Sequence, residues 1–133
     1  MSQAVETGDL LQLSAQRSKF LELVARGHDY WGFDPESLHL LGLFSLMDTL
    51  LNAPMEEIVT FLPIENTIKE ALLRESTNEY LPLLQLAQCV EEARWEDAET
   101  MIRQLNLNRE RVISAFNEAV GCADRLATLD RNG

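Results

Sequence analysis

The stretch from residue 35 to residue 51 most strongly constrains how this chain can fold, because as a helix it is apolar on nearly every side. Asp34 followed by Pro35 is the pattern of an N-cap with proline at the first helical position. The large apolar residues that follow are Leu38, Leu40, Leu41, Leu43, Phe44, Leu46, Met47, Leu50 and Leu51. A helix without a polar face has to be surrounded by other elements. The sequence therefore predicts one central helix over residues 35–51.

The rest of the sequence also has the apolar spacing of helices, and alternating strand patterns are nearly absent. Gly27 ends the first predicted helix in the usual terminating role of glycine. The six further predicted helices cover residues 9–26, 55–62, 64–74, 79–93 and 95–105, and a last segment capped by Asn108. A length of 133 residues without a Gly/Ser-rich linker fits one domain. We expect an all-α fold, a single compact domain of about seven helices.

The charge of the chain restricts the partners that it can have. It carries 22 acidic against 11 basic residues, a formal net charge of −11. Nucleic-acid binding and binding to anionic membranes both depend on clustered Lys and Arg, so neither is expected. A basic protein partner or a well-solvated surface fits better. The oligomeric state is left open.

The two cysteines and the absence of long apolar runs indicate where such a protein works. Cys89 and Cys122 lie in apolar helical segments without metal-binding or redox spacing, so we expect two small buried side chains. No run reaches the roughly 18 apolar residues of a membrane span. The acidic first nine residues do not resemble a signal peptide. These features predict a soluble protein of the reducing cytoplasm.

The sequence contains few candidates for catalytic groups. The pair His28-Asp29 would need further ligands to hold a metal, and the only other histidine is His39. The pair follows Gly27 in an aromatic loop, so we expect it to be solvated. No nucleophile elbow or glycine-rich phosphate loop is present. We therefore expect neither an enzyme nor a cofactor or metal in this chain.

One polar group lies where the sequence predicts apolar packing. Arg17 falls on the apolar stripe of the first helix, and Ser45 and Asp48 share a face of the central helix. Because a buried guanidinium and a buried carboxylate each need a partner, we predict that Arg17 pairs with Asp48, with Ser45 nearby. The favoured interpretation is an ion pair that specifies the fold. The alternative is a ligand or signalling site at Arg17, Ser45 and Asp48.

Three aromatic residues are candidates for contact with a protein partner. Tyr30, Trp31 and Trp95 belong to the residue types that dominate interfaces. For Trp95 we favour packing in the core over an exposed position. The sequence shows no partner for any of them.

Several segments resemble the carboxyl-terminal half of EAL–HDOD bacterial signalling proteins. Residues 17–22 match the pattern R-x-x-F-x-E, and residues 42–58 match GLxSLxDxLL…PxEEI. Leu62-Pro63-Ile64, residues 68–73 and Trp95-Glu96-Asp97-Ala98 extend the match in order, over roughly residues 15–127.

The resemblance implies that residues 1–133 form one helical HDOD-like domain, related in fold to HD hydrolases and starting partway through a complete HDOD domain. Where HD enzymes continue into His-Asp, this chain has Ser45-Leu46. The implied function is a non-catalytic regulatory or protein-interaction domain, associated with an EAL domain of cyclic di-GMP turnover outside this chain. The alternatives are a degenerate HD-type phosphohydrolase, a nucleotide or small-ligand sensor using Arg17, and a purely structural subunit.

Overall fold

The computed structural model describes residues 7–28, 33–75 and 77–132 of the chain. These residues form eight helical segments and no strand. In chain order the helices are α1 (Thr7–Arg26), α2 (Pro35–Phe44), α3 (Met47–Leu51), α4 (Met55–Ile58), α5 (Asn66–Leu72), α6 (Leu81–Glu91), α7 (Trp95–Gln104) and α8 (Arg109–Asn132). The predicted all-α class is confirmed, and the helix count differs because the predicted central helix is divided in two.

The division falls at Ser45 and Leu46. The Ser45 hydroxyl donates to the carbonyl of Gly42 at 2.8 Å, and the Ser45 amide bonds to the same carbonyl at 3.4 Å. A serine side chain that occupies a carbonyl in this way competes with the helix ladder, and Leu46 takes φ −110° and ψ 10°. Leu38 and Leu41 of α2 are fully buried, whereas α3 has no buried residue. The prediction of one buried helix is therefore right for residues 35–44 and wrong for residues 47–51.

Helix α1 is the centre of the fold, because it packs against α2 on one side and α8 on another. It runs antiparallel to α8. The Gln12 side chain near its start donates to Asp124, and Phe20 meets Phe116 edge to face with ring centroids 6.0 Å apart. Buried leucines of α6 complete the core around them.

Gly42 brings the backbones of α1 and α2 into direct contact. A Cβ at this position would lie 2.6 Å from Cα and 2.7 Å from N of Ser18, and 2.8 Å from the carbonyl carbon of Arg17. Only glycine fits so close an approach. The contact also sets Arg17 beside the end of α2, where the candidate site lies.

His28 joins the end of α1 to the start of α8. Its ring is 1% exposed, with Nδ1 2.7 Å from the carbonyl oxygen of Val24, and the Asn108 amide donates to Nε2 at 3.0 Å. A ring proton on Nδ1 allows both bonds. The expectation that His28 is solvated is therefore wrong, since its two nitrogens serve helix ends. Asp29 lies outside the described residues.

The two cysteines differ. Cys89 is buried, as predicted, and its burial raises the pKa of the thiol. Cys122 on α8 is only half-buried, and the Arg125 side chain donates to its sulfur at 3.3 Å. The prediction of full burial is therefore wrong for Cys122.

Candidate functional site

The candidate site is the junction of α1, α2 and α6, where Arg17 is 4% exposed. Its guanidinium makes a bidentate ion pair with Glu91 at the end of α6. Nε donates to Oε2 at 2.8 Å and Nη2 donates to Oε1 at 2.6 Å. The side chain of Glu91 is 11% exposed, so both charges lie largely out of water. Paired forks of this kind are among the strongest charge-assisted hydrogen bonds.

The third nitrogen of Arg17 connects the ion pair to α2. Nη1 donates to the Ser45 hydroxyl at 2.9 Å, and that hydroxyl in turn donates to the carbonyl of Gly42. The guanidinium thus stands at the carboxyl end of α2, where a positive charge is favourable to the helix dipole. We call Arg17, Glu91 and Ser45 the Arg17 junction. Its bonds tie α6, α1 and α2 together.

The predicted group is brought together only in part. Ser45 contacts Arg17, as predicted, but the predicted pairing of Arg17 with Asp48 is wrong. The carboxylate partner is Glu91, while Asp48 accepts a bond from the Thr49 amide at 2.9 Å. The prediction placed Ser45 and Asp48 on one face of a continuous helix, and the break after Ser45 removes that relation. A role of these residues as a ligand or signalling site stays a prediction.

Glu91 could not be recognised from its neighbours, because it stands beside Glu92 in an acidic pair of the kind that predicts solvated surface. The signal that identifies it is its spacing on α6. Leu84 and Ala87 are fully buried, and Glu91 follows them by seven and four residues, which is the same helix face. Glu92 falls on the other side, with 61% of its side chain exposed.

A second ionic cluster lies one turn further along α1, around Glu22 of the R-x-x-F-x-E pattern. Arg26 Nε and His39 Nδ1 approach its two oxygens at 2.9 and 3.2 Å, and Lys19 Nζ lies 3.9 Å away. Partial burial raises the pKa of Glu22. The hydrogen bond from Arg26 and the charges of Lys19, Arg26 and His39 together outweigh that effect, so the pKa is below its ordinary value.

The aromatic candidates have separate outcomes. Trp95, the first residue of α7, is 42% exposed, so the favoured interpretation of core packing is wrong. The interpretation as an exposed contact residue remains for it. Tyr30 and Trp31 lie outside the described residues.

Residues 7–28, 33–75 and 77–132 contain neither a metal-binding cluster nor a membrane-spanning helix. No group of three or more His, Cys, Asp or Glu side chains there is arranged to hold a metal ion. No helix in this part of the chain is long and apolar enough to cross a membrane.

Two bacterial proteins are similar to most of this chain. It is 34% identical over 112 residues to the uncharacterized protein YuxH of Bacillus subtilis, covering 84% of this chain and 26% of that protein. It is 35% identical over 111 residues to the cyclic di-GMP phosphodiesterase CdgJ of Vibrio cholerae, covering 84% of this chain and 25% of CdgJ. The chain thus spans about a quarter of the length of these curated relatives. No family model and no solved structure matches it.

Proposed function

We propose that this chain is an HDOD-like regulatory domain of bacterial cyclic di-GMP signalling, which performs no catalysis and acts through protein contacts on an EAL phosphodiesterase domain. Two findings support the link to this signalling system. The chain is 35% identical to a segment of a protein named as a cyclic di-GMP phosphodiesterase. Independently, the patterns at residues 17–22 and 42–58 resemble those of EAL–HDOD proteins.

The observation that carries the non-catalytic part of the proposal is the closure of the Arg17 junction. At the point where HD enzymes have His-Asp, this chain has Ser45, which follows Gly42-Leu43-Phe44. Its hydroxyl is already bonded on both sides, to Arg17 and to the carbonyl of Gly42. These bonds support a role of Ser45 in holding the helices together, because its hydroxyl already has both partners inside the protein.

The same closure argues against a nucleotide sensor that uses Arg17. A phosphate would have to displace Glu91 from a bidentate pair whose two side chains are 5% and 11% exposed. The displaced carboxylate would remain in the protein without its cation, which is strongly unfavourable. We therefore keep the regulatory function as the proposal.

A hydrolysis assay tests the absence of catalysis. The purified chain is incubated with cyclic di-GMP and with the linear dinucleotide, in Mg²⁺ or Mn²⁺, and the products are separated by chromatography. We expect no turnover above the protein-free reaction. Turnover that scales with chain concentration and stops on addition of a chelator would overturn the proposal.

A second assay tests the regulatory role. The segment of the Vibrio cholerae phosphodiesterase that matches this chain is deleted, and hydrolysis of cyclic di-GMP is followed with and without added chain. We expect the added chain to change the rate in a saturable way. The variant Gly121→Ala should act like the wild type, because a Cβ there meets nothing closer than 3.7 Å, whereas Gly42→Ala should not. An unchanged rate at saturating chain would contradict the regulatory role.

A further inference from the structure

The surface formed by α3, α4 and the turns around them exposes large apolar side chains. Leu51 at the end of α3 is 54% exposed and Phe61 after α4 is 66% exposed. Asn52, with φ 52°, turns the chain between the two helices, which contact each other. A cleft of about 450 Å³ is lined by Asp48, Thr49, Asn52, Ala53 and Pro54, residues that flank Leu51 in the sequence. We call Leu51, Phe61 and this cleft, with Glu56 and Glu57 of α4, the α3–α4 surface.

The α3–α4 surface belongs to a part of the chain that has no basic side chains. No lysine or arginine occurs between Arg26 and Lys69. The acidic residues in that interval are Asp29, Asp34, Glu36, Asp48, Glu56, Glu57 and Glu65. The net charge of this interval, residues 27–68, is therefore −7, against −11 for the whole chain. Nearly two-thirds of the excess negative charge is concentrated in fewer than a third of the residues.

The carboxylates of the α3–α4 surface lack the ion pairs that other described carboxylates of the chain form. Glu91, Glu92 and Glu99 each form an ion pair with an arginine. Among the ion pairs of the described residues, none includes Asp48, Glu56 or Glu57. These carboxylates therefore give the α3–α4 surface a negative potential, which favours a basic partner over an acidic one.

We propose that the α3–α4 surface is the docking site for a basic amphipathic segment of a protein partner. Apolar side chains of that segment would cover Leu51 and Phe61, and its Lys or Arg side chains would face Asp48, Glu56 and Glu57. This inference rests on the proposed function, since it names the contact surface of the regulatory domain. A second copy of the chain fits poorly because it would bring −7 against −7.

Binding of a defined peptide tests the apolar part of the surface. The probe is a synthetic amphipathic helix of leucine and lysine with a fluorescent label, and the readout is anisotropy. Leu51→Ser and Phe61→Ser should each weaken binding about tenfold, as expected for exposed anchors at an interface centre. Leu11→Ser is the matched control, because Leu11 on α1 is 56% exposed, and it should bind like the wild type. Equal affinity of all four proteins would overturn the proposal.

Two double variants test the acidic residues of the α3–α4 surface. Glu56→Gln/Glu57→Gln and Glu110→Gln/Glu118→Gln change the net charge by the same amount, and the second pair lies exposed on α8. We expect only the first to weaken binding and to reduce its dependence on salt. Equal losses in both would show non-specific attraction to an acidic protein and would contradict the docking site.

Two measurements separate this inference from its alternatives. Sedimentation of the wild type without peptide should show a monomer. A dimer that forms in the wild type and is lost in Phe61→Ser would assign the surface to a second copy of the chain. In the phosphodiesterase assay, Phe61→Ser should remove the effect of the added chain. If it acts like the wild type, the regulatory function stands and the docking site is wrong. If no chain changes the rate while the peptide binding still depends on Leu51 and Phe61, the docking site stands and the proposed function is wrong.

Discussion

At the Arg17 junction and at the α3–α4 surface the chain places charge next to apolar side chains, with opposite results. The Arg17 guanidinium is buried, and every one of its nitrogens bonds to Glu91 or Ser45. Glu56 and Glu57 are exposed and lie outside the ion pairs of the described residues. A charge taken out of water must be satisfied within the chain, whereas an exposed charge is solvated and can serve a partner.

The two regions are only a few residues apart in sequence. Ser45 belongs to the Arg17 junction, and Asp48 already lines the cleft of the α3–α4 surface. The helix break at Ser45 and Leu46 separates them, because it ends the buried part of the apolar stretch and directs α3 to the surface. The Ser45 hydroxyl thus lies at the boundary between the buried helix α2 and the helix α3, which has no buried residue.

Removal of the Glu91 carboxylate should have the largest effect. Glu91→Ala leaves a buried guanidinium without its anion, which typically costs about 3–5 kcal/mol of unfolding free energy. Glu92→Ala is the neighbouring control, with 61% of its side chain exposed, and should change stability by less than about 0.5 kcal/mol. Urea denaturation measures both. Similar midpoints for the two variants would show that the junction does not hold the helices.

Gly42→Ala should follow in size. The new Cβ would meet backbone atoms of Ser18 at 2.6 and 2.7 Å, and a backbone cannot move aside as a side-chain end can. We expect a loss of roughly 2–3 kcal/mol from overpacking. Gly121→Ala in α8 should instead add about 0.5–1 kcal/mol, because alanine is the better helix former. Thermal unfolding of both compares them, and a Gly42→Ala protein as stable as the wild type would exclude the close approach of α1 and α2.

Ser45→Ala tests the link from the junction to α2. It deprives Arg17 Nη1 of its acceptor, and we expect a loss of about 1–2 kcal/mol. Ser114→Ala, at an exposed position of α8, should stay within about 0.5 kcal/mol of the wild type. Chemical denaturation distinguishes them. If Ser45→Ala is equally neutral, the bond from Arg17 to Ser45 does not contribute to the stability of the fold.

The cluster around Glu22 should appear in the acid dependence of stability. Because the folded-state pKa of Glu22 is below its ordinary value of 4.5, its contribution is complete above that pH and is lost as the pH falls through the folded value. Glu22→Gln should therefore have a flatter stability profile below about pH 4.5 than the wild type. Denaturant titrations at a series of acidic pH values measure this. Superimposable acid profiles would contradict the role of Arg26, Lys19 and His39.

The smallest effect is expected at the α3–α4 surface. Leu51→Ser and Phe61→Ser remove exposed side chains, so each should change the unfolding free energy by no more than about 0.5 kcal/mol. Leu41→Ser in the buried face of α2 should be far more damaging. Denaturation curves of the three variants compare them directly. A large loss at Leu51 or Phe61 would place these residues in the core rather than in a docking surface.

Local patterns in the sequence predicted much of this molecule. The helix from Pro35 follows from an N-cap and proline, since Asp34 accepts the Ser37 amide as predicted for a cap. Arg17 was identifiable because a polar residue on an apolar stripe has to find a partner. Glu91 was not, because its partner lies 74 residues earlier and its own neighbour is a solvated acid. The burial of His28 also depended on Asn108, 80 residues away.

The all-helical class and the absence of lysine and arginine from residues 27–68 were determined by the sequence alone, since both depend on residue type and spacing within a segment. Only the tertiary structure decided which charges are buried and paired, and that residues 47–51 of the longest apolar stretch lie outside the core. The physical reason is that burial and ion pairing depend on which elements meet. For Arg17 and Glu91 that meeting depends on the contact of α1 with α2 at Gly42 and on the place of α6 beside them.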